Sequence, residues 1–319
     1  MDQLRALRVL MRVVSQGSFA AAARSLDMAP AVVTRTIAEL ESHLGARLIN
    51  RTTRTLALTE IGETYVAQTS LVLAELDDAD SQAGAGTSTP SGVLRVLAPP
   101  AFATHQLARH LPRFRALFPR LGLEIATPGA VEAADGNFDV SIVSVGQQGL
   151  QGDFTVRQLA RSHFVVCAAP SYLALRGCPQ HPDDLMGHDA VLPAVPSIKR
   201  QLTLRHTAPS RRVGAPTIVH IPTPRAVLSC SQLEMLFAAA LAGLGMVGLP
   251  SFVAHDALKD GRLQRVLPDW VGTTLTLYAA MPSRKHLPAR TRAFVDFLLA
   301  QFGGTDTDPW LAGTNPPPP

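Results

Sequence analysis

The sequence predicts a protein of mixed class, in which a mainly α-helical winged helix-turn-helix domain precedes an α/β domain. Its 319 residues are about twice the roughly 150 of a typical domain. Residues 1–59 show helical apolar spacing and carry eight arginines against four acidic residues, an excess equal to the whole net charge of +4. From residue 92 to residue 302, short β-rich runs alternate with helical patterns. A hydrophobic fraction of 46% with 17% charged residues argues against a disordered chain.

The first two helices are predicted from apolar spacing and stop signals. The buried stripe of the first helix is expected at apolar residues spaced by three and four: Leu4, Leu7, Met11 and Val14. Gly17 then ends this helix, and Ser18 caps a second helix over residues 19–26. Four consecutive alanines in the second helix allow a neighbouring backbone to approach closely.

The third helix begins at Pro30, whose missing N–H costs nothing in a first turn. Its buried stripe is expected at Val33, Ile37, Leu40 and Leu44, and its opposite face carries Ala31, Thr34, Arg35 and Thr36. A helix, a short turn and a second helix with a small polar face are typical of a helix-turn-helix that reads the major groove of DNA.

A wing is predicted where apolar and polar residues alternate over residues 47–59, presenting Arg51 and Arg54 to phosphates or to a minor groove. The predicted DNA-contacting residues of the whole domain are Ser18, Ala29, Pro30, Ala31, Thr34, Arg35, Arg51, Thr52 and Arg54. The alternative is a solvated basic hairpin on an ordinary helical domain.

These motifs resemble the LysR family of transcriptional regulators, and the likeness extends over nearly all of residues 1–302. Residues 17–26 are similar to the second helix of that family, 32–45 to its recognition helix, and 48–62 to its wing and the start of its linker helix. Ala29 and Ala31 stand where the family usually has a polar residue, so we expect a DNA preference different from that of related proteins.

A long helix capped by Thr59 is expected next, with Glu60 and Glu63 in its first turn. Its apolar stripe is Ile61, Tyr65, Thr69, Val72, Leu76 and Ala79. The resemblance implies that this helix, with the flexible linker that completes residues 60–91, forms a homodimer matched to an inverted-repeat operator on double-stranded DNA. The alternative is a helix packed on its own domain. A homotetramer is also open, and an activator would in addition contact RNA polymerase.

Residues 92–302 resemble the two-lobed, periplasmic-binding-protein-like effector domain of the family. Strands are predicted at 92–98, 121–126, 139–144, 164–169 and 275–280, and helices at 101–118, 232–242 and 289–302. Because ligands bind beyond the carboxyl ends of strands in open α/β sheets, the candidate effector-binding residues are Pro99, Pro100, Ala101, Phe102, Thr127, Ser144, Ser197, Thr223 and Gly248. An Ala-Pro-Pro-Ala run stands where many relatives have Ser or Thr, which favours a less polar effector or one held by backbone N–H groups.

Other functions fit the residues less well. The uncharged run 235–254 is interrupted by glycines and Pro250, so we expect a helix opened by a Ser231–Glu234 capping box and a strand rather than a membrane span. The glycines of 243–248 match a dinucleotide motif, but the helix precedes them, which is the wrong order for NAD binding. No cofactor and no metal site are expected, and Cys167 fits a core position better than a redox-sensing one.

Two further classes of protein are open alternatives. An enzyme with an incidental helix-turn-helix would need clustered acid, base or nucleophilic residues at the strand ends, and the candidates supply none. A solute-binding protein would need an export signal, whereas the first turns are charged; we therefore expect a cytoplasmic protein without a catalytic role. The segment 303–319 is expected to be a disordered tail.

Overall fold

The structure is a computed structural model that describes residues 2–51, 56–83, 90–131, 133–146, 154–194, 201–207, 218–283, 287–312 and 314. The side chains of 51, 71, 74, 75 and 77–83 lie outside this description. Two compact units divide at Gly92, and each has its own hydrophobic core.

The first unit contains four helices and a two-stranded hairpin. The helices are α1 (Gln3–Gln16), α2 (Phe19–Ser25), α3 (Pro30–Leu44) and α4 (Glu60–Ala83), and the antiparallel strands are β1 (Ile49–Arg51) and β2 (Leu56–Leu58). The order of the elements is that of a winged helix-turn-helix, because the hairpin follows directly on the helix that would enter a groove.

The predicted helix ends are found, but the buried stripe of α1 is rotated from its predicted position. Gly17 ends α1 with φ +62°, and the Ser18 side chain accepts a hydrogen bond from the Ala21 N–H at 3.4 Å. The buried residues of α1 are Ala6, Leu7, Val9, Leu10 and Val13. Leu4 is 46% exposed, because the face of α1 that packs against α2, α3 and α4 is centred on the buried residues and does not reach Leu4.

The second unit combines helices with one long, curved sheet. Its helical segments are α5 (Pro100–Phe102), a π-turn (Ala103–Leu107), α6 (Ala108–Leu117), α7 (Pro170–Arg176), a 3-10 turn (Pro182–Gly187), α8 (Leu233–Leu241), α9 (Ser251–Lys259) and α10 (Ala289–Phe302). Its strands are β3 (Gly92–Leu97), β4 (Leu121–Ala126), β5 (Val140–Val145), β6 (Phe154–Ala168), β7 (Asp189–Pro193), β8 (Gln201–His206), β9 (Ile218–Pro222), β10 (Arg225–Cys230), β11 (Met246–Pro250), β12 (Gln264–Arg265), β13 (Trp270–Val271) and β14 (Thr274–Pro282).

Two lobes share this sheet, whose strand order is β10-β7-β11-β6-β14-β5-β3-β4. The strand predicted at 164–169 is the second half of β6, which begins at Phe154 and runs from the first lobe into the second. The chain returns to the first lobe beside this crossing: the Gly272 N–H donates to the Phe164 O at 2.8 Å, and the Phe164 N–H donates to the Thr273 O at 2.9 Å. A separate three-stranded sheet, β13-β8-β9, lies in the second lobe.

The prediction of a disordered tail is wrong for residues 303–312, which we call the strap. Trp310 is only 5% exposed and packs against Phe102, Phe252 and Phe302 in the core. Its indole N–H donates to the Gln106 Oε1 at 2.9 Å. A single tryptophan in a polar segment gives no periodic signal, so the pattern of the sequence could not show that it completes a core built by distant residues.

The apolar run 235–254 forms α8, β11 and the start of α9. The predicted capping box is absent here: Gln232 occupies the N-cap of α8, without a side-chain cap bond. Over the described residues, no helix has both the length and the apolar character needed to cross a membrane.

Candidate nucleic-acid interface and effector cavity

The exposed face of α3 presents the side chains expected to read DNA. Ala31 and Arg35 are exposed and Thr34 is half-buried, while Val33, Ile37 and Leu40 on the opposite face are buried. The Arg35 side chain is 82% exposed, and its Nε donates to the Glu39 Oε1 at 2.8 Å. An exposed pair of this kind contributes only about 0.3–0.5 kcal/mol, so a base edge or a phosphate can readily displace Glu39.

The N-terminal end of α3 is open to an anion. Ala29 occupies the N-cap position and makes no side-chain cap hydrogen bond, and Pro30 follows in the first turn. Both residues are exposed. The positive end of the helix dipole and the first amides favour a phosphate at such a terminus, which agrees with the placement of Ala29 and Pro30 among the predicted contacts. Ser18 is half-buried, with its hydroxyl oxygen already accepting the α2 cap bond.

Part of the predicted wing lies outside the described residues. Thr52 and Arg54 are not described, and for Arg51 only the backbone is, paired with Leu56. Their proposed DNA contacts therefore remain predictions.

Sequence reasoning missed how firmly the wing is attached to α3 and α4. The Glu41 Oε1 accepts the N–H groups of Leu48 at 2.8 Å and of Ile49 at 3.1 Å, which joins α3 to β1. At Gly62 in α4, a Cβ atom would lie 2.0 Å from the Leu48 O, so only glycine allows this approach. Thr59 caps α4 as expected, since its Oγ1 accepts from the Gly62 N–H at 2.9 Å.

The predicted effector residues of the first lobe do not form one open site. Phe102 is fully buried and Ala101 is 7% exposed, because the first turn of α5 packs into the core against α9 and the strap. These two residues belong to the core, so their prediction as part of a ligand-binding surface is wrong. Pro99 is also buried and Pro100 half-buried, whereas Thr127 is exposed and Ser144 half-buried.

A cavity of about 390 Å³ lies in the second lobe, and among the predicted residues Gly248 lines it. Thr223 is half-buried next to Pro224, which is in the lining, and Ser197 lies outside the described residues. Sequence reasoning missed most of the lining, which comprises Phe164, Val165, Val166, Leu185, Ala190, Leu192, Pro193, Gln201, Leu202, Thr203, Leu204, Pro224, Met246, Val247, Gly272 and Thr273. The lining is drawn from segments that lie far apart in the sequence, so it becomes visible only once the strands are paired.

Three residues that could suggest a hydrolytic triad form a buried cross-link instead. The Ser251 Oγ donates to the Asp308 carboxylate at 2.8 Å, and the His163 Nδ1 lies 2.9 Å from the same carboxylate. A nucleophilic serine needs a histidine base against its own oxygen, whereas here both groups bind the aspartate. Ser251 is fully buried, so the cluster fastens the strap to β6 and α9.

Cys167 is a core residue. It is fully buried, its Sγ donates to the Val247 O at 3.8 Å, and burial raises its pKa to about 12. A thiol with so high a pKa is protonated at neutral pH, whereas oxidant sensing needs an accessible thiolate.

Where the two lobes face each other, charged groups gather on the π-turn, α6, α8 and α9. Arg109 forms a bidentate ion pair with Asp256, and the His105 ring stacks edge-on against Phe237. Burial lowers the pKa of His105, an effect that the nearby carboxylate of Glu234 opposes. These contacts join the first helix of one lobe to the last helices of the other.

The comparisons with known proteins agree with this architecture. Residues 4–63 match the family model for bacterial regulatory helix-turn-helix proteins of the lysR family, and residues 87–303 match the LysR substrate binding domain. The chain is 31% identical to the HTH-type transcriptional regulator CrgA of Neisseria meningitidis serogroup C over 301 residues, covering 93% of this chain and 96% of that protein. It is also 31% identical to the uncharacterized regulator YhjC of Escherichia coli over 299 residues, covering 93% and 97%.

Solved structures of the same kind are similar over the full chain. The structure of CrgA, a LysR-type transcriptional regulator from Neisseria meningitidis, covers 94% of this chain and 98% of its own, with 30% identity and a TM-score of 0.56. The full-length structure of the Vibrio cholerae virulence activator AphB covers 94% and 99%, with 25% identity and a TM-score of 0.56.

Proposed function

This chain belongs to the LysR family of bacterial transcriptional regulators, and from that premise we propose how it reads DNA and responds to an effector. It is a DNA-binding regulator with an N-terminal helix-turn-helix domain and a C-terminal effector-binding domain. In our proposal two copies of α3 enter successive major grooves of an inverted repeat, and Arg35 reads a base in each half-site. An effector bound in the second unit changes the oligomer geometry on the promoter.

The proposal that Arg35 reads a base rests on a single observation: its side chain is exposed on a helix whose other face is buried. Arginine can donate two parallel hydrogen bonds to the O6 and N7 atoms of guanine. Ala31 adjoins it on the exposed face without a bulky side chain. Thr34 keeps its hydroxyl donating to the Pro30 O at 3.0 Å, which leaves its methyl group and the oxygen lone pair for a base edge.

Oligomerisation through α4 is supported by its exposed apolar side chains. Ile61 is 59% exposed and Val72 is 56% exposed, three helical turns apart on one face. Thr69, which the sequence places in the same stripe, is buried, and Leu73 packs in the helix-turn-helix core. The helix therefore has one face for its own domain and a second face for a partner copy, and we propose a homodimer, from which a homotetramer can be built.

The effector response requires a difference in affinity between two arrangements of the oligomer. A ligand that binds both arrangements equally shifts no population, however tightly it binds. We propose that the effector enters the second-lobe cavity beside the lobe crossing at Phe164 and Thr273, where a small rearrangement would alter how the lobes meet. An activator of this kind would also contact RNA polymerase.

The reading role is tested with Arg35→Ala and the matched variant Glu39→Ala, which removes the same ion pair but keeps the guanidinium. Binding is measured by fluorescence anisotropy on a genomic site selected with the purified protein and on a scrambled duplex. Arg35→Ala should weaken specific binding by about 1–3 kcal/mol and leave scrambled binding nearly unchanged. Glu39→Ala should bind as the wild type does. Equal losses on both duplexes would assign Arg35 to a phosphate instead of a base.

The dimer is tested with Val72→Glu, which places a charge on the proposed partner face without touching the helix-turn-helix core. Sedimentation velocity should show a shift toward monomer, because a buried unpaired carboxylate costs several kcal/mol. An unchanged sedimentation coefficient at micromolar concentration would move the interface away from this face of α4.

A further inference from the structure

The cavity in the second lobe is bounded by two β-sheets. On β6, β7 and β11, Val166, Ala190, Leu192, Met246 and Gly248 border it, while the alternating Val165, Val191 and Val247 belong to the main core. Val165 and Val247 also touch the edge of the cavity. Leu202 and Leu204 of β8 and Leu185 of the 3-10 turn supply the facing wall. The space is therefore bordered on both sides by apolar side chains, several of which meet in one hydrophobic cluster at its edge.

The cavity lies where one side chain is missing from an apolar row. Gly248 pairs with Val166 of β6, and on its other side the pairing of Val247 with Val191 places Gly248 beside Leu192 of β7. The row across the sheet thus reads valine, glycine, leucine. A larger residue at its centre would project toward Leu202 and Leu204, into the space that is now open.

The backbone does not need glycine at position 248. Gly243 has φ +79°, and a Cβ at Gly245 would lie 2.6 Å from the Asp189 O, so both neighbouring glycines are required by the chain itself. At Gly248 the φ angle is that of an ordinary strand residue, and a Cβ would meet no atom within 4 Å. What glycine provides at this position is open volume.

The chemistry of the lining selects against a charged ligand. None of the lining residues in the described part of the chain has an ionisable side chain, and the polar ones are Gln201, Thr203 and Thr273. The Thr203 hydroxyl already lies 3.0 Å from the His220 Nδ1. A carboxylate placed here would lose its hydration with no cation among the described lining residues to replace it, which costs far more than transferring a neutral apolar group.

From the cavity we propose that the effector is a neutral, largely apolar small molecule, and that Gly248 determines its size by keeping the centre of the sheet row empty. This inference rests on the proposed function, because it names the class of ligand for the effector site.

The proposal is tested on the full chain with two probes of equal shape, naphthalene-2-methanol and 2-naphthoate, by calorimetric titration at neutral pH. The neutral alcohol should bind, and the carboxylate should bind at least about tenfold more weakly. Gly248→Val, which fills the row with a residue suited to a strand, should abolish binding of the alcohol. Gly248→Ala should weaken it to an intermediate degree.

Gly146→Val is the matched control, because Gly146 is exposed, its added Cβ would also meet no atom within 4 Å, and it lies outside the cavity lining. This variant should bind the alcohol as the wild type does. Anisotropy on the selected duplex, without a probe, is measured for every variant. If a variant loses probe binding but still binds this duplex, the loss concerns the cavity and not the proposed DNA-reading function. Tighter binding of the carboxylate, wild-type binding by Gly248→Val, or binding of neither probe at millimolar concentration would each overturn the proposal.

Discussion

In the DNA-binding unit, the contacts that hold α3 and the helix and hairpin beside it join residues close together in the sequence, whereas the effector domain depends on contacts between distant segments. Ser18 caps α2 through a residue three positions away, and Glu41 holds the Leu48 N–H seven positions away. In the effector domain, Gln106 accepts from Trp310, 204 residues away, and donates to the Phe252 O, 146 residues away. Local contacts leave a signal in sequence patterns, and distant ones do not.

The difference also determines what each unit can do. The helix-turn-helix presents a preformed surface, because its stabilising contacts hold α3 and the wing in a fixed position relative to each other. The effector domain joins two lobes through the β6 crossing, α9 and the strap, and in our proposal a change at that junction alters the relation between the lobes. If the two units are independent, loss of a distant contact should destabilise only the effector domain, and loss of a local contact should destabilise only the DNA-binding unit.

The largest effect is expected from Asp308→Ala in the strap. The Asp308 side chain is 4% exposed and accepts from the Ser251 Oγ, from the N–H groups of His163 and Trp310 and, at 2.9 Å, contacts the His163 ring. Removing the carboxylate leaves several buried donors without an acceptor, at a cost of about 4 kcal/mol. Differential scanning calorimetry should show a lower melting temperature for the effector domain.

The control for the strap is Asp306→Ala, whose side chain is 65% exposed and pairs with Arg161 at 3.2 Å. An exposed pair of this kind contributes less than about 1 kcal/mol, so this variant should melt close to the wild type. If both variants destabilised the domain equally, the buried carboxylate would not be what holds the strap in place.

The next largest effect is expected from Gly62→Val in α4. The added Cβ would lie 2.0 Å from the Leu48 O, which forces the wing and α4 apart at a cost of about 3 kcal/mol. The melting transition of the DNA-binding unit should fall while that of the effector domain stays unchanged, which scanning calorimetry can resolve. Ala67→Val, at an exposed position of the same helix, should cost less than about 1 kcal/mol. Equal shifts of both transitions would show that the units do not melt independently.

A smaller effect is expected from Glu41→Ala. The carboxylate accepts from the backbone N–H groups of Leu48 and Ile49, and its loss should destabilise the hairpin by about 2 kcal/mol. Hydrogen exchange followed by mass spectrometry should show faster exchange at these two amides. Glu41→Gln retains an acceptor oxygen, so the Leu48 and Ile49 amides should exchange more slowly in this variant than in Glu41→Ala. Protection unchanged in Glu41→Ala would mean that the wing is held by its other contacts.

For the candidate sites, prediction succeeded where one residue type has one local role. Ser18, Pro30, Gly17 and Thr59 could be placed at helix ends because a cap or a stop needs a particular side chain or a left-handed backbone. Phe102 could not be placed, because its position after a strand is the same for a ligand-binding residue and for a core residue. Only Phe252, Phe302 and Trp310, packed around it, decide between the two.

By itself, the sequence determined the order and type of most elements, the basic character of the front domain and the exposed face of α3, because helix periodicity, caps and charge are properties of neighbouring residues. The tertiary structure alone decided that the strap completes the core, that α4 has one face for its own domain, and that Gly248 stands opposite an empty space. Those features depend on which distant segments meet. Burial and volume belong to the packed molecule, and no local pattern records them.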